Sequence, residues 1–224
     1  MQKKWTGMLL IGMIALSVAA CGNQGNNEQA PASAPPEPVA SAEATSQPSS
    51  YEALYRTSVF FGDSITEGLS YHDVLNEENV LAGAGKTAEF AQEDLDDLVG
   101  RKPERVFIQL GSDDILWPTD DPKEYSLTHY AQLIDSIQSK LPKAKITLLS
   151  VTPVTADAEK TEPRYRNIGD YNEGLKALAA KEQVEYDDLT PLVTEHSDLY
   201  DTDGIHFQAA FYPILLDYLK DRWD

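Results

Sequence analysis

Four short apolar runs that stop at glycine or proline, and a weaker fifth, limit this chain more than any other feature. Val59-Phe60-Phe61 ends at Gly62, and Asn79 to Ala82 is followed by Gly83 and Gly85. Arg105 to Leu110 ends at Gly111, Lys145 to Val151 ends before Pro153, and Val184-Glu185-Tyr186 is the weaker run. All are short, and β-branched or aromatic residues dominate them, as buried strands require. Helical spacing fills the gaps. Ala88 to Val99 places Ala91, Leu95 and Leu98 on one face; Ser126 to Leu141 does so with Tyr130, Leu133, Ile134 and Ile137, and stops at Pro142. Ile168 to Ala180 carries Tyr171, Leu175 and Leu178, and the last helix carries Ile214, Leu215, Tyr218 and Leu219, with Pro213 in its first turn. Strand and helix in alternation predict an α/β fold, a parallel sheet with helices on both faces. Ligands of such sheets bind beyond the carboxyl ends of the strands, so the loops there are where chemistry is sought.

The amino terminus reads as an address. Lys3 and Lys4 precede an apolar run from Met8 to Ala20, too short to span a bilayer and suited to a signal peptide. It ends in Val18-Ala19-Ala20-Cys21, which resembles a bacterial lipobox and implies cleavage before Cys21 and lipidation of its sulfur. The other reading is an ordinary secretory signal with an incidental cysteine. Residues 21–50, rich in Pro, Ala, Ser and Asn and poor in bulky apolar side chains, form an expected disordered tether. The expected organisation is therefore a signal over 1–20, a tether over 21–50 and a globular body over 51–224. The body would stand at the extracytoplasmic face of the cell membrane, held by its lipid.

Charge narrows the partners. The net charge of −19 becomes −21 once residues 1–20, with two lysines and no acid, are removed. No basic patch exists to release counterions from a polyanion, so nucleic acid is not an expected partner. The single cysteine excludes an intramolecular disulfide and a cysteine-based zinc cluster.

Two motifs carry chemistry. Gly62-Asp63-Ser64-Ile65-Thr66 puts a serine at a strand-to-helix turn, where the backbone N–H groups carry partial positive charge, although serine is also a good N-cap there. Near the other end, Asp203-Gly204-Ile205-His206 places an Asp three residues before a His, a spacing that lets the carboxylate hold one ring nitrogen while the other accepts a serine proton. His72, His129 and His196 have no comparable context and read as surface residues.

Taken in order, GDS after the first strand, Gly85 after the second, Gly111-Ser112-Asp113-Asp114 after the third and DGIH before the last helix resemble the GDSL, or SGNH, hydrolase superfamily. The resemblance covers about residues 58–222. It implies a three-layer α/β/α sandwich with a five-stranded parallel sheet, and carboxylic ester hydrolysis through an acyl-serine without metal or cofactor. Carried over by position, it implies Ser64 as nucleophile, His206 as general base and Asp203 as its orienter, with the N–H groups of Ser64 and Gly85 at the oxyanion. The third block of the family reads Gly-x-Asn-Asp, with the asparagine amide as third oxyanion donor; this chain has Asp113 there.

That departure has physical weight. An ionised carboxylate accepts hydrogen bonds and donates none. Losing one oxyanion donor costs about 3–4 kcal/mol in the barrier. Three arrangements relieve the conflict: Asp113 stays protonated, helped by Asp63 and Asp114; it turns away; or it binds a cation or a hydroxyl-rich substrate.

Other candidates surround the site. Trp117, in Ile115-Leu116-Trp117-Pro118, is a candidate substrate wall or a core cap. Thr155 to Arg166 reads as a long polar loop, and Arg164, Tyr165 and Arg166 are its basic-aromatic cluster, solvated or facing substrate. Tyr165 and Phe207, beside His206, complete the candidate substrate contacts. Gly85-Lys86-Thr87 lacks the earlier glycine of a phosphate loop, since residue 80 is Val80, and Asp201-Thr202-Asp203-Gly204 lacks the closing Glu of a calcium loop, since Ala210 stands there. Two functions are compatible with these residues. One is an anchored monomeric esterase acting on small acyl esters, such as O-acetyl groups of glycans. The other is a binding or accessory protein of the envelope in which Asp113 has abolished turnover. The intact Ser64, Asp203 and His206 favour the enzyme.

Overall fold

The structure is a computed structural model and describes residues 50–222. The signal segment, Cys21 and the tether lie outside the described residues, apart from Ser50. Five strands, β1 (Ser58–Gly62), β2 (Val80–Ala82), β3 (Arg105–Gln109), β4 (Lys145–Leu149) and β5 (Glu185–Asp187), form one sheet in the order β2-β1-β3-β4-β5, every pairing parallel. Helices α1 (Ser50–Leu54), α2 (Ser64–Tyr71), α3 (Leu95–Arg101), α4 (Pro122–Lys140), α5 (Ala156–Thr161), α6 (Ile168–Glu182), α7 (Thr190–Glu195) and α8 (Phe211–Lys220) alternate with them. The expected three-layer α/β/α sandwich is the observed one.

Strand alternation builds two cores. Val59 and Phe61 of β1, Val106 and Ile108 of β3 and Ile146 and Leu148 of β4 point to the face covered by Leu98 of α3, Leu133 and Ile137 of α4 and Leu175 of α6. Phe60, Phe107 and Leu149 point to the other face, against Leu69 of α2, Leu192 of α7 and Phe211, Leu215 and Leu216 of α8. Burial on both faces is why these strands read as continuous apolar runs.

The boundaries differ from the sequence pattern where a polar side chain decides them. The helix expected from Ala88 begins as a 3₁₀ turn at Phe90–Asp94 and is α-helical only from Leu95 to Arg101. The helix expected from Ser126 begins at Pro122, because the Asp121 carboxylate accepts the Glu124 N–H at 3.0 Å. The polar stretch from Thr155 is not a loop: Thr155 caps α5, and a 3₁₀ turn over Pro163–Asn167 follows. The short helix α7 was not legible in the apolar pattern.

Register brings the loops to one edge. Gly62 pairs with Ala82 on one side and Gln109 on the other, so β1, β2 and β3 end level. The end of β4 is fixed by Asn172 of α6, whose amide accepts the Val151 N–H and donates to the Val151 carbonyl, both at 2.9 Å. The buried amide thereby replaces a missing ladder partner just past the strand.

Candidate active site

The first catalytic candidate sits where β1 meets α2. Asp63 is the N-cap of α2 and accepts the Ile65 N–H at 3.0 Å, while its own N–H donates to Gln109 O at 3.2 Å. Ser64 is therefore the first helical residue. Its N–H lies in the turn that has no intrahelical acceptor, beside the positive end of the helix.

His206 is held by a compact turn. Asp201 N–H donates to His206 O at 2.8 Å, Gly204 N–H to Asp201 O at 3.0 Å, and a lone bridge joins Tyr200 to Phe207. Gly204 has φ +71°, and a Cβ there would lie 2.0 Å from Thr155 Oγ1, so this position needs glycine twice over. Thr155 N–H donates to Gly204 O at 2.9 Å and Tyr200 Oη to Pro153 O at 2.6 Å, tying the turn to the loop after β4.

These two elements bring three side chains into one chain of hydrogen bonds. Asp203 Oδ2 lies 2.5 Å from His206 Nδ1, and His206 Nε2 lies 2.8 Å from Ser64 Oγ. Asp203 Oδ1 also accepts the N–H groups of Ile205 and His206 at 2.9 Å each. Burial pushes the Asp203 carboxyl up, but these hydrogen bonds outweigh it and hold the pKa below its ordinary value. The orienting carboxylate stays ionised, and the imidazole tautomer with its proton on Nδ1 leaves Nε2 free to accept.

The Gly83–Lys86 turn follows β2. Lys86 N–H donates to Gly83 O at 3.3 Å, and Gly85, third in the turn, has φ +74°. The Gly85 N–H has no hydrogen-bond acceptor among the described residues.

Three carboxyls, Asp63, Asp113 and Asp114, lie close enough to act on one another at this edge of the sheet. Asp63 is 1% exposed, and burial pushes it up to about 7, against the hydrogen bond at 2.5 Å from Ser112 Oγ and with the charge of Asp113 adding to the rise. Asp114 is raised to about 6 by burial, although Ser126 Oγ and the Ala88 N–H both donate to it. Burial also raises Asp113, and the nearby His206 charge pulls it back. Asp113 Oδ2 is buried and has no hydrogen-bond partner among the described residues. Among the described residues, no group of three or more His, Cys, Asp or Glu is placed to hold a metal ion.

This cluster has a consequence for stability. A carboxyl with a higher pKa in the fold than in the unfolded chain binds its proton more tightly when folded. Its contribution is complete below about 4 and is lost as pH rises through the folded values, about 6 for Asp114 and about 7 for Asp63. The protein should therefore unfold at lower urea at pH 8 than at pH 5. Asp63→Asn, which still accepts from Ile65 and donates to Ser112, should shrink that difference; an unchanged pH dependence in this variant would contradict the assignment.

The chemistry of this arrangement matches what the comparisons find. The GDSL-like lipase/acylhydrolase family matches residues 60–214. The chain belongs to this family. Members are acylhydrolases, and the chain is accordingly a hydrolase of the esterase kind. Among solved structures, a GDSL-like lipase from Bacteroides thetaiotaomicron is similar over 73% of this chain and 85% of its own, with TM-score 0.60 and 21% identity. An acetyl-xylooligosaccharide esterase from Geobacillus matches over 74% and 94%, with TM-score 0.53 and 20% identity. An acetyl xylan esterase matches over 73% and 97%, with TM-score 0.57 and 16% identity. A comparison with curated proteins finds no match.

The substrate-contact candidates of this GDSL-like hydrolase fall differently from expectation. Phe207 is 1% exposed and stacks on Phe211 at 3.9 Å and Tyr200 at 4.8 Å, so it is mainly an aromatic core residue, and it also forms part of the wall of the pocket at Ser64. Tyr165 is buried, and after burial itself the charge of Asp113 is the main influence raising its pKa. Arg164 is spent on Glu162 and on Leu116 O, and Arg166 on Glu159. Trp117 is half-buried edge-on to Phe90 at 5.4 Å, and does not line the pocket at Ser64. That pocket, about 210 Å³, is lined instead by Ser64, His206, Glu67, Tyr71, Asp201 and Tyr212, among others. It is also lined by His72, which corrects the reading of that residue as mere surface. A larger cavity of about 500 Å³ lies at the amino end of the strands, lined by Arg56, Asn79 and Arg101, far from the serine–histidine pair.

Proposed function

We propose that the protein is a serine esterase for small acyl esters, O-acetyl groups of glycans included, held at the extracytoplasmic face of the membrane by lipid on Cys21. The observation that carries the catalytic reading is the unbroken chain from Asp203 through His206 to Ser64, at 2.5 and 2.8 Å. His206 Nε2 takes the hydroxyl proton as Ser64 Oγ attacks the ester carbonyl. The imidazolium is stabilised by Asp203, then gives its proton to the departing alcohol, leaving an acyl-serine. Water, deprotonated by the same Nε2, attacks the acyl-serine; the bond to Ser64 Oγ breaks, the imidazolium returns its proton to that oxygen, and the acid leaves.

The oxyanion of each tetrahedral intermediate faces the N–H groups of Ser64 and Gly85, and Asp113 stands third. Asp113 is half-buried, its Oδ2 is buried without a partner among the described residues, and two other carboxyls stand close by, an arrangement that favours a proton on it. In that form Asp113 donates where an ionised Asp113 repels, so the enzyme runs on the protonated fraction. The acetylated-xylan activities named for two similar structures support a small acyl group on a glycan. The lipobox-like Val18-Ala19-Ala20-Cys21 supports the anchor. Among the described residues no helix is long and apolar enough to cross a membrane.

The test is hydrolysis of p-nitrophenyl acetate, butyrate and octanoate by the protein beside Ser64→Ala. Acetate should be hydrolysed fastest, and Ser64→Ala should lose at least about 10³-fold in rate. Equal rates in both proteins would refute the esterase reading.

A further inference from the structure

The pocket at Ser64 has a chemical character of its own. It contains His206, the group that protonates the leaving oxygen, but neither Gly85 nor Asp113, which face the oxyanion. The leaving alcohol must lie within reach of His206 Nε2, so this pocket is the alcohol side of the site. No lysine or arginine lines it. Its charged walls are the carboxylates of Glu67 and Asp201. Neither forms an ion pair among the described residues. The Glu67 carboxylate accepts no hydrogen bond there, and the Asp201 carboxylate accepts only from the Thr202 N–H next to it.

The third wall is aromatic. Tyr71 is 79% exposed, far more than any other large apolar side chain described. Its ring stands edge-on to His72 at 5.0 Å, and His72 leans on Tyr212 at 5.3 Å. Gly68 makes this wall possible, because a Cβ there would lie 1.8 Å from the Tyr212 hydroxyl. An aromatic face left in water beside two unpaired carboxylates, next to the nucleophile, has the composition of a cation site. An anionic alcohol would be repelled, and the carboxylates themselves supply acceptors only.

We propose that the alcohol released by this enzyme carries a positive charge: the substrate is the O-acyl ester of an ammonium-bearing alcohol, such as an amino sugar with a free amine or an alkylammonium alcohol. This rests on the esterase reading above. The pocket, about 210 Å³, has room for one such group. The ammonium sits over Tyr71 between Glu67 and Asp201, which brings the ester oxygen to His206.

The probes are acetylcholine and its uncharged isostere 3,3-dimethylbutyl acetate, used with the full chain. The cation should be favoured by about tenfold in kcat/KM, and the ratio should fall several-fold between about 50 mM and about 500 mM salt. The ratio should approach one in the Glu67→Gln/Asp201→Asn double variant and should drop in Tyr71→Leu. Equal kcat/KM for the two esters, or a preference unchanged by salt and by both variants, would overturn the proposal. Binding is read separately from turnover by saturation transfer to the choline methyl protons on the Ser64→Ala protein. Transfer that disappears in Ser64→Ala/Glu67→Gln/Asp201→Asn supports the cation subsite even if no ester is hydrolysed, in which case only the esterase reading fails. No transfer to the Ser64→Ala protein at millimolar choline counts against the subsite.

Discussion

Asp113→Asn should raise kcat toward p-nitrophenyl acetate by about 10²-fold at pH 8, a rare case in which a single polar substitution at an oxyanion site improves an enzyme. The asparagine amide donates at every pH, whereas the native carboxyl donates only while protonated, and one such donor is worth about 10²–10³ in rate. Burial raises the Asp113 pKa, so the protonated form persists to higher pH than in a free carboxyl before it is lost. As pH rises, the protonated fraction of Asp113 falls, and the wild-type rate should fall with it. Asp113→Asn should lose this falling limb, and its advantage should shrink toward acid pH. A variant slower than wild type across the whole range would show that the carboxyl serves catalysis in some other way.

Asp203→Asn should lower kcat by about 10⁴-fold with little change in KM, and the reason is a proton in the wrong place. The oxygen of the introduced amide can still accept the Ile205 and His206 N–H groups, so the turn should survive. The amide N–H₂ would then face His206 Nδ1, which must become the acceptor. The ring proton moves to Nε2, where it meets the Ser64 hydroxyl and blocks proton transfer. Far-UV circular dichroism and the urea midpoint should stay close to wild type while the rate collapses. A loss below about tenfold would mean that Asp203 does not set the tautomer.

The sheet and the three residues that meet as Asp203, His206 and Ser64 were legible in the sequence for related reasons. Strands buried on both faces carry uninterrupted apolar runs, and loops at their carboxyl ends need glycine, so Gly62, Gly85 and Gly111 marked the edge where these residues lie. Asp203 and His206 are local to one turn, and Ser64 is local to another; only their meeting, across 142 positions from Ser64 to His206, depends on the fold. The pocket beside Ser64 was not legible. Glu67 and Tyr71 lie on α2 and Asp201 lies in the distant histidine turn, and none of them belongs to a motif. Phe207 lines the pocket at Ser64, but adjacency to His206 could not show that most of its ring is turned into the aromatic stack with Tyr200 and Phe211. Trp117 stood out because it follows the third motif block directly, and the structure seats it on Phe90. The start of α4 was missed because a capping carboxylate, Asp121, sets it ahead of the first apolar residue.

The most direct test of the central claim is to trap the nucleophile. The protein would be incubated at neutral pH with a small fluorophosphonate, which phosphonylates an activated serine by displacing fluoride, and its intact mass and tryptic peptides recorded. A single adduct on Ser64, absent from Ser64→Ala and formed far more slowly by Asp203→Asn, is the predicted result. No adduct, or the same adduct on the Ser64→Ala protein, would contradict the assignment of Ser64, His206 and Asp203 as a working triad.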